Sequence, residues 1–388
     1  MKVAILLDNN LSKAQVHPFE EITKRAEDIQ VNVYIGQKNR HNTDSIKLGK
    51  VFLNHRSEVF NALLSPLSAL RHLKDNDFPR MDYYYFSLKR LLRGVDVAYT
   101  QEVSRSLFTL AGLKRQCGYK ILLRWWEVLP YKRLFSEKDT SVAKKALDAV
   151  DMFLPATQMA RDALLIEGVP EENILHIYPG IDTERFAPAS SSQEMRAKWG
   201  IPSQKTVVLF VGRLVGHKGI FSLLWTAKLL ERKSLLENFV FLIVGDSGQR
   251  LRLEKMAEDM GIRGSFIFRG TVPYDIMPEM YQMSDMFVLP SLMKEKIQEM
   301  FGFVLAEAMA CGKPVIGTAV GAIPEVIGDA GIIVTPGDYK ALAGAFETVA
   351  SDQQLRVELG GRGRKRAEEL FSSQRNSQEL LAIVRKLR

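Results

Sequence analysis

Four ionisable residues in the second half of the chain have the types and spacing to handle a charged, hydroxyl-bearing ligand. Glu299 and Glu307 belong to the string E-M-F-G-F-V-L-A-E-A-M-A-C-G-K-P-V, residues 299–315. Arg213 and Lys218 belong to G-R-L-V-G-H-K-G, residues 212–219. A carboxylate accepts hydrogen bonds from hydroxyls, and the positive end of a helix stabilises it as an anion. Two cations flanking a glycine-rich helix entrance hold an anion together with the helix N–H groups. Taken singly, Glu307 reads as an ordinary first-turn glutamate and Glu299 as a surface charge. The full string is what separates them from that bland reading.

The elements that must carry these residues follow from the apolar pattern. Val304, Leu305, Ala308, Met309 and Cys311 repeat at helical spacing. Gly312 and Pro314 then give the C-terminal stop. This puts Glu299 in the loop before a helix and Glu307 in its first turn. Residues 313–317 read as the next buried strand. Upstream, V-V-L-F-V within residues 206–212 is a buried strand running into the Arg213–Lys218 loop, with a helix from Ile220. Further strands are expected at 239–244, 266–268 and 285–289, and a last strand with its turn at 329–338. Residues 342–387 read as mostly helical. The 212–219 loop is not a P-loop, which needs Gly-Lys-Ser/Thr after four variable residues.

The first half alternates strand and helix. Strands are expected at 3–7, 31–35, 46–53, 95–99, 120–123 and 152–154. Helices are expected at 18–29, 83–93, 104–116, 141–149 and 157–166. That order implies right-handed parallel units in a doubly wound α/β sheet. Such sheets bind ligands beyond the carboxyl ends of their strands, so the loops starting at Asp8, Thr100 and Arg124 are the ones to watch. Residues 56–93 mix Arg56, Arg71, Lys74, Arg80, Lys89, Arg90 and Arg93 with leucines and tyrosines. A basic amphipathic helix there could lie on an anionic membrane; the alternative is a core stripe with solvated charges.

A chain of 388 residues suits two domains, and 46% hydrophobic with 25% charged residues is a globular composition. Cys117 and Cys311 are too few for a disulfide framework, which points to a reducing, cytoplasmic compartment. The apolar start is too short for a signal peptide, and no run reaches the length of a membrane span. The formal charge of +8 divides evenly between the two halves. It suits acidic partners such as nucleotide phosphates or lipid heads, with no block that would suggest nucleic acid.

Glu-x-Phe-Gly, five residues, then Glu-Ala-Met-Ala-x-Gly-x-Pro-Val resembles the nucleotide-sugar signature of the retaining glycosyltransferases of the GT-B type, the "group 1" family. The resemblance is strong over residues 174–340 and weak before them. It implies two Rossmann-like doubly wound α/β domains facing across a cleft. Residues 1–178 would bind the acceptor and 193–370 the nucleotide sugar. The run Y-P-G-I-D-T-E-R-F-A-P opens a linker over 179–192, and a C-terminal helix over 371–388 would cross back to the first domain. By resemblance Glu299 faces the donor sugar and Glu307 holds the ribose hydroxyls. Arg213 and Lys218 bind the diphosphate. Gly212, Val272, Gly302, Phe303 and Val304 complete the nucleotide-binding set, Val272 with its backbone along the base.

Two loops depart from the family pattern. Asp8-Asn9-Asn10-Leu11-Ser12 stands where many members have a Gly-Gly pair, and Arg124-Trp125-Trp126-Glu127 where many have a histidine. Glu127 is the candidate for contact with the transferred sugar or the acceptor hydroxyl; the equal alternative is a surface glutamate beside buried tryptophans.

The activity implied is retaining transfer of a sugar from a UDP- or GDP-linked donor to a glycan or lipid-linked acceptor. The donor is substrate, and no separate cofactor is expected. No clustered His/Cys/Asp set has ligand spacing, so metal independence is expected. The expected site is cytoplasmic, with peripheral contact at the inner face of a membrane through residues 56–93. The rival readings are a non-catalytic nucleotide-sugar-binding or membrane-associated scaffold subunit, and a sugar-nucleotide epimerase of related fold.

Overall fold

The computed structural model describes residues 1–7, 13–36, 46–53, 84–132, 140–189, 193–294 and 297–388. The 8–12 loop, most of the basic 56–93 stretch, the end of the 179–192 linker and Glu295-Lys296 therefore lie outside the described residues.

The chain forms two units. One comprises Met1–Ala156, Ala160–Ile177 and Asn376–Arg388; the other comprises Thr157–Met159 and Tyr178–Arg375. The first holds six parallel strands: β1 (Lys2–Leu6), β2 (Gln30–Gly36), β3 (Gly49–Leu53), β4 (Val97–Gln101), β5 (Lys120–Trp125) and β6 (Met152–Pro155). Their order is β3-β2-β1-β4-β5-β6. The second holds β7 (Thr206–Val211), β8 (Phe239–Val244), β9 (Phe266–Gly270), β10 (Met286–Leu289), β11 (Val315–Thr318) and β12 (Gly331–Val334), in the order β12-β11-β10-β7-β8-β9. Every pairing is parallel. Counted from its own first strand, each sheet runs 3-2-1-4-5-6, the doubly wound Rossmann order.

Side-chain alternation explains why both faces of the first sheet are covered. Val3 and Ile5 enter one apolar cluster, and Ala4 and Leu6 enter the other. A parallel strand buried on both faces needs such an unbroken apolar run. Leu380, Ile383 and Val384 of the last helix (Ser373–Lys386) join the cluster that holds Val3 and Ile5. The second sheet packs Phe241, Phe266 and Phe346 together, with Phe241 and Phe266 stacked at 4.8 Å.

Two elements depart from the sequence expectation by three residues or more at an end. The first helix runs Lys13–Arg25, with Pro18 inside it. Proline fits a first turn better than an interior, and this is why the pattern suggested a start at residue 18. The third strand is shortened to Gly49–Leu53, although Ile46 and Leu48 are buried beside it. Burial alone therefore extended the apolar run beyond the hydrogen-bonded ladder.

Candidate nucleotide-sugar site

β7 and β10 are neighbours in the second sheet, and the chain leaves them in opposite winding directions. The loops beyond their carboxyl ends are therefore at the switch point, where ligands of this topology bind. β7 ends at Val211 and runs into Gly212 and Arg213. A single turn, Gly216–Lys218, follows, and Gly219 leads into helix Ile220–Arg232. β10 ends at Leu289 and leads through Ser291 to Glu299 and helix Phe303–Ala310.

Two glycines allow these loops to close on their neighbours. Gly219 has φ +74°, and a Cβ there would lie 1.7 Å from the Pro290 carbonyl oxygen. Gly321 has φ +54°, and a Cβ there would lie 2.2 Å from the Glu299 carbonyl oxygen. That same oxygen accepts the Ala322 N–H at 2.8 Å, which fixes the backbone of Glu299. The Glu299 side chain is nearly covered: Lys218 Nζ donates to Oε2 at 2.6 Å and Ser291 Oγ donates to the same oxygen at 3.3 Å. So β7's cation and β10's carboxylate, 81 residues apart, form one ion pair. Arg213 is exposed and makes no ion pair among the described residues.

Glu307 occupies a different environment from the one its position in the sequence suggests. It is the fifth residue of helix Phe303–Ala310, beyond the first turn, and only 5% exposed. Tyr281 OH donates to Oε2 at 2.6 Å and Tyr274 OH donates to Oε1 at 3.2 Å. Burial pushes its carboxyl up to about 7, against the lowering effect of the two hydroxyls and the Arg185 guanidinium. The expectation of an anion stabilised by the helix end is thus corrected: desolvation outweighs the helix field once the side chain leaves water. Gly302, with φ +85°, precedes the helix without a side-chain cap; Phe303 is 39% exposed and Val304 partly so. Val272 lies in the irregular run after β9, two residues before Tyr274.

Glu127 lies in the first unit. Its Oε1 accepts the N–H groups of Val128 at 3.1 Å and Leu129 at 3.2 Å, and its Oε2 pairs with Lys132. Trp125 is buried and Trp126 is half-buried. The Trp126 indole donates to Gln101 Oε1 at 3.2 Å, and Arg124 lies over its ring. Glu102, just past the end of β4, has φ +53° and donates its N–H to the Arg124 carbonyl at 3.0 Å. Its carboxyl is raised by burial and then by the charge of Glu127. Two carboxyls that feel each other's charge thus lie beyond the carboxyl ends of β4 and β5.

Tyr274, Tyr281, Ser291 and Glu102 were missed in the sequence. The tyrosines approach Glu307 from 33 and 26 residues away, with no spacing that would announce it. Ser291 and Glu102 did carry a signal, since each follows shortly after a strand end. Among the described residues no group of three or more His, Cys, Asp or Glu could hold a metal ion. The sequence does contain one Asp-x-Asp triplet, Asp75-Asn76-Asp77, of the kind that holds a metal in other transferases; it lies outside the described residues.

Residues 191–366 match the family model described as glycosyl transferases group 1. The second unit is a group 1 glycosyltransferase domain. A D-inositol 3-phosphate glycosyltransferase of Streptomyces bingchenggensis is 33% identical over 238 residues, 58% of this chain and 50% of that relative. A GDP-mannose-dependent alpha-(1-6)-phosphatidylinositol monomannoside mannosyltransferase of Mycolicibacterium smegmatis is 28% identical over 244 residues, 62% of this chain and 61% of the relative. The chain spans about half the length of the curated relatives it matches. The solved structure of Anabaena HepE in complex with UDP aligns over 100% of both chains, with a TM-score of 0.79 and 20% identity. The fold of the chain is therefore GT-B: two Rossmann-like units, each with its own parallel sheet.

Proposed function

We propose that the chain is a retaining, metal-independent glycosyltransferase that moves a sugar from a nucleotide-diphosphate donor to a glycan or lipid-linked acceptor. The observation that carries this reading is the pairing at the switch point of the second sheet. Lys218 and Glu299, from the loops after β7 and β10, meet at 2.6 Å, while Glu307 presents a carboxylate held by two hydroxyls. In this reading Glu307 takes the ribose hydroxyls and Glu299 orients the sugar. Arg213 and Lys218 take the diphosphate, and the backbone from Gly212 and along Val272, Gly302, Phe303 and Val304 completes the nucleotide contacts.

As the glycosidic bond breaks, negative charge grows on the leaving phosphate. Fixed cations placed for it stabilise that transition state. Donor binding must first free Lys218 from Glu299, so the pair exchanges one partner for two. Lys218 turns to phosphate and Glu299 to sugar hydroxyls. In the first unit, Glu127 and the nearby Glu102 are proposed to face the acceptor. The relatives that act on inositol phosphates support an acceptor of phosphoinositol or lipid-linked type, and GDP and UDP stand as candidate bases because one of those relatives is GDP-mannose-dependent and the fold neighbour HepE was solved with UDP. A cytoplasmic site fits the two free cysteines. No helix of the described residues is long and apolar enough to cross a membrane. A lipid-linked acceptor would be met at the inner membrane face.

The test is binding and slow hydrolysis across UDP-, GDP- and ADP-sugars with EDTA present, on wild type and Glu307→Ala. A single donor that binds, turns over in EDTA and is lost in Glu307→Ala supports the proposal. Turnover only when magnesium or manganese is restored would overturn its metal-independent part. Absence of any nucleotide-sugar binding would move a scaffold role to the front.

A further inference from the structure

Glu307 has two hydroxyl donors of unequal quality. Tyr281 is fully buried, and its 2.6 Å bond to Oε2 is short and charge-assisted. Tyr274 is 43% exposed, and its bond to Oε1 is longer at 3.2 Å. Tyr274 starts a single turn, Tyr274–Ile276, at the end of the irregular run that follows β9. Its backbone is anchored, because Arg185 Nη2 donates to the Tyr274 carbonyl at 3.1 Å and pairs with Asp275. Its ring lies under the Arg185 guanidinium at 5.0 Å and against Phe186 at 5.6 Å. The hydroxyl is the part of this residue that can be exchanged without moving the chain.

We propose that Tyr274 is a specificity residue of the nucleotide subsite: its hydroxyl holds the place on Glu307 Oε1 that a ribose hydroxyl takes when nucleotide binds. This rests on the reading of Glu307 as the ribose acceptor. A buried carboxylate oxygen needs a donor in every state. In the free protein Tyr274 supplies it. When a ribose diol enters, the sugar hydroxyl takes over and the phenol turns to water at the exposed edge. Tyr281 stays and keeps the carboxylate oriented. The exchange has a consequence for selectivity. A nucleotide without the diol leaves Tyr274 on Oε1, so the wild-type protein loses little when the diol is missing. Without the phenol hydroxyl, the same ligand would leave Oε1 without a donor.

The experiment is calorimetric titration of UDP and GDP, each beside its 2′,3′-dideoxy counterpart, against wild type, Tyr274→Phe and Glu307→Ala. Because Tyr274 is exposed and keeps its ring in the phenylalanine variant, that variant is expected to fold, with thermal unfolding as the control. The expected result is that the ratio of dideoxy to ribose Kd rises about tenfold in Tyr274→Phe, the scale of leaving one buried acceptor unmet. The rise should come from the ribose nucleotide, which gives Oε1 a donor that the free variant lacks and so binds up to about tenfold tighter than to wild type, while the dideoxy nucleotide binds within about threefold of wild type. An unchanged ratio in Tyr274→Phe, with the ratio falling to one in Glu307→Ala, overturns the placeholder role and leaves Glu307 as the ribose acceptor. Equal weakening of both ligands in Tyr274→Phe also overturns it, since that is the mark of a merely structural tyrosine. Wild-type binding of both ligands by Glu307→Ala removes the ribose reading, and the inference with it.

Discussion

Glu307 is buried between two tyrosine hydroxyls, and its carboxyl is pushed from 4.5 up to about 7. Its folded-state value lies above its unfolded value, so the folded protein binds the extra proton between those two pH values. Stability attributable to this group therefore falls as pH rises from about 4.5 to about 7, and the whole penalty is present above about 7. Its size is on the order of 3 kcal/mol. Glu307→Gln removes the ionisation and keeps the shape. At pH 8 the variant is expected to be more stable than wild type by about 1–3 kcal/mol, and at pH 4 to differ little. Urea unfolding at the two pH values checks this; equal destabilisation at both would refute it. Binding should be far less sensitive to pH than stability: a ribose hydroxyl takes the place of the Tyr274 hydroxyl on Oε1 and so changes the proton affinity of the carboxyl little, and nucleotide affinity at pH 6 and pH 8 should agree within about threefold. Titrations at pH 6 and pH 8, with Glu307→Gln as the reference for titration of the nucleotide itself, separate the two contributions. At this scale the sequence exposed the identity of Glu299, Glu307, Arg213 and Lys218 but not their state. The string E-x-F-G through P-V marks the glutamates, whereas the burial that raises the Glu307 carboxyl, and the two tyrosine hydroxyls that oppose it, arrive through tertiary packing.

Elements bring the charged residues together through turns that only glycine can make. Gly219 ends the Gly216–Lys218 turn and abuts Pro290, so it ties the loop carrying Lys218 to the start of the loop carrying Glu299. Gly219→Ala is expected to lose about 2 kcal/mol or more of stability, from positive φ and from the approach to the Pro290 oxygen. It should weaken donor binding as well. Gly216, three residues earlier, has open space around its Cβ position and no such φ. Gly216→Ala is expected to stay within about 0.5 kcal/mol of wild type and serves as the control. Comparable losses in the two variants would show that the close approach at Gly219 is not what matters. Farther along, Asp352 caps the helix Gln353–Leu370 by accepting the Leu355 N–H at 2.9 Å, and Asp352→Ala should cost about 1 kcal/mol in thermal unfolding. Element positions were the most legible part of the chain. Residues 239–244 were read as a strand from their apolar run, and β8 occupies them. The first helix was misread because proline at residue 18 is a strong local signal, and tertiary packing of Val16, Phe19 and Ile22 overrides it.

At the scale of the whole molecule, composition and length already required two cores, but not which strands are neighbours. β7 pairs with β10 across an intervening β8 and β9, and that crossing creates the switch point between the two functional loops. Nothing local in either strand encodes the pairing; it follows from the handedness of successive parallel connections. The ends of the chain are tied by the same kind of non-local packing. The last helix, Ser373–Lys386, begins in the second unit and places Leu380, Ile383 and Val384 in the core of the first, each 7% exposed or less. Removing residues 376–388 would uncover the face built by Val3, Ile5, Val31 and Val33. Losing three buried aliphatic side chains costs on the order of 6 kcal/mol, comparable with the whole stability of a domain. A chain truncated after Arg375 is therefore expected to lose the cooperative unfolding of the first unit while the second, residues 178–375, keeps its own. Calorimetry with limited proteolysis distinguishes the outcomes. The expected pattern is a surviving transition and a protease-resistant fragment from the second unit alone. Two undisturbed transitions would mean that the first core closes without the helix. Leu380→Ala provides a graded version: it should destabilise the first unit by about 2–4 kcal/mol and leave donor binding by the second unit unchanged.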